Sequence, residues 1–321
     1  MATQNNMDLT QGKPFSVLLK FAIPVILGNL FQLFYTLADS VIVGKTMGAG
    51  ALAAVGSTSI IIYLVLCFIQ GFTSGFGICL GQRFGAKDED GMRRSAGISW
   101  LLSLFFTIVL TLAGCLLAHP ILYWMQTPQD IYDDAYTYLF LILLGTGATI
   151  FYNIVSNLLR ALGDSKTPLK FLAFSAVLNA VLDFVLIGGL GFGIVCSAVT
   201  TVAAEAASAV MAAVYMACRV PELCPERGQW RIRRALLGPI LRYGSVTALQ
   251  QAVQPICKVL IQGQVNALGV GSIAAFNAVT RVDDFAFTPE QSIATAITTY
   301  IAQNRGARQP ERIRRGGHSA V

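Results

Sequence analysis

The sequence predicts an all-α polytopic membrane protein, a six-helix lobe followed by the first two helices of a second lobe, and three observations carry that prediction. Apolar residues make up 55% of the 321 and charged residues only 12%, where a soluble domain holds about 25% charged. The apolar residues come in runs that match or exceed the roughly 20 helical residues needed to cross a hydrocarbon core. Two blocks of the sequence also recur at one fixed offset. A water-facing globule, a nucleic-acid binder and a disordered chain are excluded by this composition. Seven cysteines lie scattered, mostly in apolar runs and without metal spacing, and read as small core hydrophobes. The polar start MATQNNMDLTQG lacks a basic n-region and a cleavage site, so no removable signal peptide is expected.

Helices are expected at about 15–43, 51–81, 95–118, 131–158, 168–189, 193–218, 236–266 and 272–302. The first contains Pro24, which cannot donate to the carbonyl of Lys20 and crowds that turn, so a kink or hinge is expected there. The connections alternate between bare and basic. On one side lie Lys13 and Lys20, the loop RFGAKDEDGMRR, the stretch Arg160 to Lys170, RVPELCPERGQWRIRR from Arg219, and the tail from Arg305. The other side holds only Lys45, while Lys258 and Arg281 fall inside expected helices. By the positive-inside rule both termini are expected in the cytoplasm, in a multi-pass protein of the cytoplasmic (inner) membrane.

The repeat organises the chain. Gly48-Ala-Gly-Ala-Leu-Ala-Ala-Val-Gly56 resembles Gly269-Val-Gly-Ser-Ile-Ala-Ala-Phe-Asn277. The same shift, which carries Gly48 to Gly269, lays GQRFGAKDEDGMRR (81–94) on AQNRGARQPERIRR (302–315). Both basic blocks fall on one side, so the repeats are parallel and each holds an even number of helices, six by the count above. Such repeats are a recurring plan of secondary transporters. The reading divides the chain into a first lobe, 1–230, and an incomplete second lobe, 231–321, with two helices and a basic cytoplasmic tail. Two full repeats of that length would run well past Val321. The sequence-based expectation is therefore a fragment, a frameshifted frame, or a chain whose last helices another polypeptide supplies.

Ionisable side chains in membrane helices are costly and by default functional. Gln32, Tyr35 and Asp39 are spaced i, i+3, i+7 on the first helix, and Asn179 and Asp183 are spaced i, i+4 on the fifth, with Ser175 one turn before. Thr201 and Glu205 repeat the spacing on the sixth helix, as do Asn153 and Asn157 on the fourth. Converging, these four stripes would form a small anionic cavity whose oxygens suit a hard monovalent cation or a proton. Each residue has a plainer reading. Asp39 could be a solvated helix end near Lys45, Glu205 a structural hydrogen-bonder, Thr201 a packing hydroxyl and Asn157 an interface residue, while Lys258 could snorkel or be paired.

These motifs resemble a known family. Pro24 and Asp39 in the first helix, GAGALAAVG, GQRFGAK, RALGDSKTPL leading into LNAVLDFVLIGGLGFGI, and QNRGARQPERIRRG look like the multidrug and toxic compound extrusion (MATE) family, over almost the whole chain. The resemblance implies twelve helices in two lobes and export of organic cations and drugs in exchange for Na⁺ or H⁺, with no cofactor besides that ion. It implies a cation site of Asp39, Asn179 and Asp183, supported by Asn153 and Thr201, with Glu205 standing where an amide is expected. Gln32, Tyr35, Phe151, Tyr152, Glu205, Gln250, Gln251 and Gln254 are candidates for a substrate cavity, where cations would meet charge and ring faces.

Three rival readings stay open at this level. A flippase for lipid-linked oligosaccharides would want a cleft lined by Arg and Lys, yet the intramembrane charges of the first repeat are acidic. A membrane-embedded enzyme would want paired Mg²⁺-binding acids or His and Ser nucleophiles, and the only histidines, His119 and His318, lie outside the helices as read here. A non-functional fragment is the third.

Overall fold

The computed structural model describes residues 7–125, 127–224, 234–266 and 270–320. They form α1 (Pro14–Gly85), α2 (Glu89–Trp124), α3 (Gln129–Ala161), α4 (Lys166–Asp183), α5 (Ile194–Arg219), α6 (Arg234–Asn266), α7 (Val270–Gly306) and α8 (Pro310–Ala320). A π-helical segment, Phe184–Gly189, continues α4, and a short 3₁₀ turn, Pro221–Leu223, follows α5.

The expected six-plus-two arrangement of eight helices is corrected by this architecture. Ten helical elements occur among the described residues, and the pair expected at 15–43 and 51–81 is one hydrogen-bonded helix of 72 residues. The fifth expected helix changes to π geometry directly after Asp183, and α8 adds a helix where only a basic tail is expected. Among the described residues six helical stretches are long and apolar enough to cross a membrane, two of them in α1 and one each in α2, α3, α4 with its π extension, and α5. Neither α6 nor α7 is among them, because polar residues interrupt their apolar face.

A straight helix of that length would reach about 108 Å at about 1.5 Å per residue. Both ends of α1 instead meet one residue of α7: the amide of Leu9, just before the helix, donates to Gln303 Oε1 at 3.0 Å, and the Gly85 backbone lies against the Gln303 carbonyl. The helix therefore doubles back. Phe34 packs edge to face on Phe285 at 5.8 Å, while Tyr63 lies within electrostatic reach of the neighbouring Asp284, so the reversal falls between Phe34 and Tyr63. Its first half runs along α7, where Asn29 Nδ2 donates to Ser292 Oγ at 2.9 Å. Its second half runs along α6, where glycine allows backbone contact: a Cβ on Gly71 or Gly75 would collide with the backbone of Ala248 or Gly244. Thr247 Oγ1 seals this contact by donating to the Gly71 carbonyl at 2.5 Å.

The main core joins the second half of α1 to α2, α3, α5 and α6 through residues such as Phe72, Phe76, Ile98, Ile154, Leu158 and Ile240. A smaller core holds the start of α1 against α7, with Phe21, Val25, Ala296 and Tyr300 buried. At the basic end the chain is tied by two buried amides and one partly exposed guanidinium. Gln303 Nε2 donates to the Ala161 carbonyl at 2.8 Å, Asn304 Nδ2 to the Leu9 carbonyl at 3.2 Å, and Arg312 Nη1 to the Gly12 carbonyl at 2.7 Å. Buried Asp164 starts α4, accepting from the amides of Lys166 and Thr167 and from the Thr167 hydroxyl. The motif RALGDSKTPL is thus a turn and a helix cap.

Candidate functional site

The last turn of α4 and one face of α5 enclose a polar cluster. Asp183 is 0% exposed and Asn179 is 1% exposed. The Thr200 hydroxyl donates to Asp183 Oδ1, and Asn179 Nδ2 donates to Thr201 Oγ1 at 3.3 Å. Ser197, one turn before Thr200, is fully buried. Asn179 Oδ1 and Ser197 Oγ are enclosed and make no hydrogen bond among the described residues. A buried carbonyl oxygen without a donor beside a buried carboxylate is an arrangement that a hard cation satisfies, so the residues present fit a monovalent coupling ion. The α4 helix changes to π geometry at the next residue, Phe184, a distortion common at functional sites.

A second polar group is centred on Glu205, one turn beyond Thr201. Glu205 accepts from the Thr149 hydroxyl of α3, and the Ser208 hydroxyl donates to its main-chain carbonyl at 2.8 Å. Asn153 spends its amide on the Thr149 carbonyl at 2.8 Å. Asn157 donates to the Asn153 carbonyl at 3.0 Å and to Thr73 Oγ1 of α1 at 2.9 Å. The α3 stripe thus turns toward Glu205 and α1, with Asn157 at an interface.

The structure therefore brings Asn179, Asp183 and Thr201 together and sets Asn153 and Glu205 in the adjoining group. The side chains of Asp39 and Tyr35 lie outside the described residues. Gln32 is half-buried on α1, and Pro24 is buried within it. Gln250 is exposed on α6, while Gln254 accepts from Gln291 Nε2 of α7 at 3.2 Å. Lys258, left open between snorkelling and pairing, is paired: its Nζ lies 2.6 Å from Asp284 Oδ1. The sequence reading missed Thr200, Ser197 and Asp284. The spacing Ser197, Thr200, Thr201, Ala204, Glu205, Ser208 marks one polar and small-residue face of α5, and a lysine in an apolar run calls for an acid nearby.

The internal repeat is legible in atoms. The amides of Ala86, Lys87 and Asp88 donate to the carbonyls of Gln82, Phe84 and Arg83, and those of Ala307, Arg308 and Gln309 to the carbonyls of Gln303, Arg305 and Asn304. Lys87 and Arg308 share a left-handed backbone, φ 56° and 55°. A Cβ on Gly85 would strike the Gln303 carbonyl, and one on Gly306 the Gln82 carbonyl, as expected for equivalent segments that meet across a pseudo-twofold axis.

A MatE family model matches residues 24–185 and 247–320. The probable multidrug resistance protein YpnP of Bacillus subtilis is 33% identical over 308 residues, covering 95% of this chain and 68% of its own. An outward-facing multidrug resistance MATE transporter of the MOP superfamily superposes with a TM-score of 0.92 at 25% identity, over 100% of this chain and 71% of its own. A MOP superfamily transporter from Pyrococcus furiosus, whose binding pocket is described as reversed in polarity, gives a TM-score of 0.93 at 25% identity over 100% and 71%. The chain spans about two thirds of the length of the curated relatives it matches. The matches run along this chain as a whole and do not support helices supplied by another polypeptide. With its membrane helices, its internal repeat and its matched family model, the chain belongs to the MATE family, whose members are transporters and not enzymes.

Proposed function

We propose that the chain acts in cation-coupled antiport, exporting organic cations or drugs across the cytoplasmic membrane by alternating access, with Na⁺ or H⁺ as the coupling ion. The observation that carries this reading is the fully buried Asp183 beside the Asn179 carbonyl oxygen and the Thr200 and Thr201 hydroxyls. A carboxylate enclosed in a membrane helix costs several kcal/mol unless a counter-charge or proton joins it. An ion arriving at Asp183 would therefore favour the closed packing of α4 on α5, and its departure would favour an opened one. Asp39 is assigned to the same site by the family resemblance, with Pro24 as the point at which α1 bends when the site changes occupancy. No other cofactor is assigned. The basic loops assign both termini to the cytoplasm.

Ethidium efflux from cells expressing the 321-residue chain tests the reading. Efflux should follow an imposed sodium or proton gradient and fall by about tenfold or more, equivalent to about 1.4 kcal/mol or more, in Asp183→Asn and in Asp39→Asn. Unchanged efflux in both variants overturns the ion site. Pro24→Ala should alter gradient dependence, and an unaltered dependence removes the hinge.

A further inference from the structure

On α6 and α7 the side chains of Lys258 and Asp284 are 30% and 35% exposed and lie 2.6 Å apart. Their surroundings are unlike those of a surface pair. They stand beside Tyr63, within an apolar stretch of α1 that is itself long enough to cross a membrane. The Tyr63 hydroxyl and the Cys67 thiol lie one turn apart on α1, within electrostatic reach of Asp284 and Lys258 respectively. One turn away along α6 and two along α7, Gln291 donates to Gln254. Because α6 packs mainly on the second half of α1 and α7 mainly on the first, these two polar bridges span a seam between helices that, among the described residues, otherwise touch little.

Each helix carries a proline next to the pair. Pro255 cannot donate to the carbonyl of Gln251, and Pro289 cannot donate to that of Phe285. Each helix thus lacks one main-chain hydrogen bond close to the pair. Three aromatic rings with open surface stand around it: Phe34 and Phe285, in contact with each other, and Tyr63. A carboxylate, an ammonium and ring faces together form a site for an organic molecule with charge of both signs.

We propose that Lys258 and Asp284 bind the zwitterionic head of an amphipathic organic substrate, which takes the place of their mutual ion pair. The proposal rests on the export reading and names a substrate class for it. A lone cation taken by Asp284 would leave the partly buried Lys258 without a counter-charge, and a lone anion taken by Lys258 would strand Asp284. A zwitterion replaces both partners in one exchange, so no charge is left unpaired. Its organic body then lies against Tyr63 and Phe285, where a cation or flat ring gains from ring faces. Singly charged molecules bind more weakly at this pair, because each leaves one partner without its counter-charge.

Rhodamine B, a zwitterion, and its ethyl ester, a monocation, differ by one charge on the same fluorophore. Their binding to the full 321-residue chain in lipid nanodiscs is read by fluorescence polarisation. The zwitterion should bind about tenfold more tightly than the ester, a difference of about 1.4 kcal/mol. Lys258→Met should remove the preference. The double variant Lys258→Met, Asp284→Asn leaves no stranded charge and keeps the test open where the single variant fails to fold; it too should lose the preference. Equal binding of both dyes by the unaltered chain, or a preference that survives the double variant, overturns the inference while ethidium efflux remains intact. Binding of neither dye also overturns it, and the gradient dependence of ethidium efflux then decides separately whether the export reading survives.

Discussion

The turns after α1 and after α7 occupy equivalent places in the two repeats and carry the same three main-chain hydrogen bonds, the same left-handed residue and the same close glycine. The polar residues along those helices do not repeat. Asp284 of α7 has Tyr63 at its equivalent position in α1, and Asp39 has Leu260. Even within the turns the caps diverge: Asp88 accepts from the amide of Gly91 at 2.9 Å and pairs with Arg83 at 3.0 Å, whereas the side-chain carbonyl of its counterpart Gln309 is buried without a partner among the described residues. Backbone geometry where two segments cross tolerates almost no change, because any Cβ there meets a carbonyl. Charges along the helices are free to diverge, because each needs only a local counter-group.

The sharpest way to break this comparison is at the crossing glycines. Gly85→Leu and Gly306→Leu should each destabilise the protein by about 3 kcal/mol or more, read as loss of the folded species in detergent melting. A large difference between the two would show that the crossing is not symmetric. Next comes the unmatched pair: Lys258→Met should cost about 2–3 kcal/mol, the low end for a stranded charge because both side chains are partly exposed, whereas Lys258→Met with Asp284→Asn should cost much less. Denaturant melts of the single and double variants would reveal a structural pair of a different kind if both cost the same. Thr200→Val removes the donor to Asp183 and should cost about 2 kcal/mol while changing the ion dependence of efflux; Thr149→Val beside Glu205 should cost a similar amount without moving that dependence. The smallest effect lies at the matched left-handed residues, where Lys87→Gly and Arg308→Gly should each stabilise by about 0.5 kcal/mol, relief of αL strain outweighing the entropy of glycine. Equal shifts in melting temperature would sharpen the equivalence of the two turns.

Much of the candidate site was legible from spacing. Asn179 and Asp183 are four residues apart on an apolar helix, so they had to share a face, and Thr201 and Glu205 likewise. Spacing within a helix says nothing about which face of the next helix it meets. For this reason Asn153 was expected beside Asp183 and instead bonds back to Thr149 near Glu205. Thr200 was passed over for Thr201 because adjacent residues differ by about 100° around a helix, and only the packing of α4 on α5 selects between them. Lys258 could not be assigned from its own helix, since its partner comes from α7.

The fold divides in the same way. Apolar runs, basic loops and the constant offset between the repeated blocks are one-dimensional properties, and they determined that this is a helical membrane protein with a parallel internal repeat. Helix count was not determined, because the stretch between residues 43 and 51 reads as a break in polarity while the backbone stays helical as α1 reverses direction. The seam between α6 and α7, the doubling of α1 and the enclosure of Asp183 were decided by tertiary structure alone. A sequence records what each residue prefers around its own axis, and only packing decides which preferences meet.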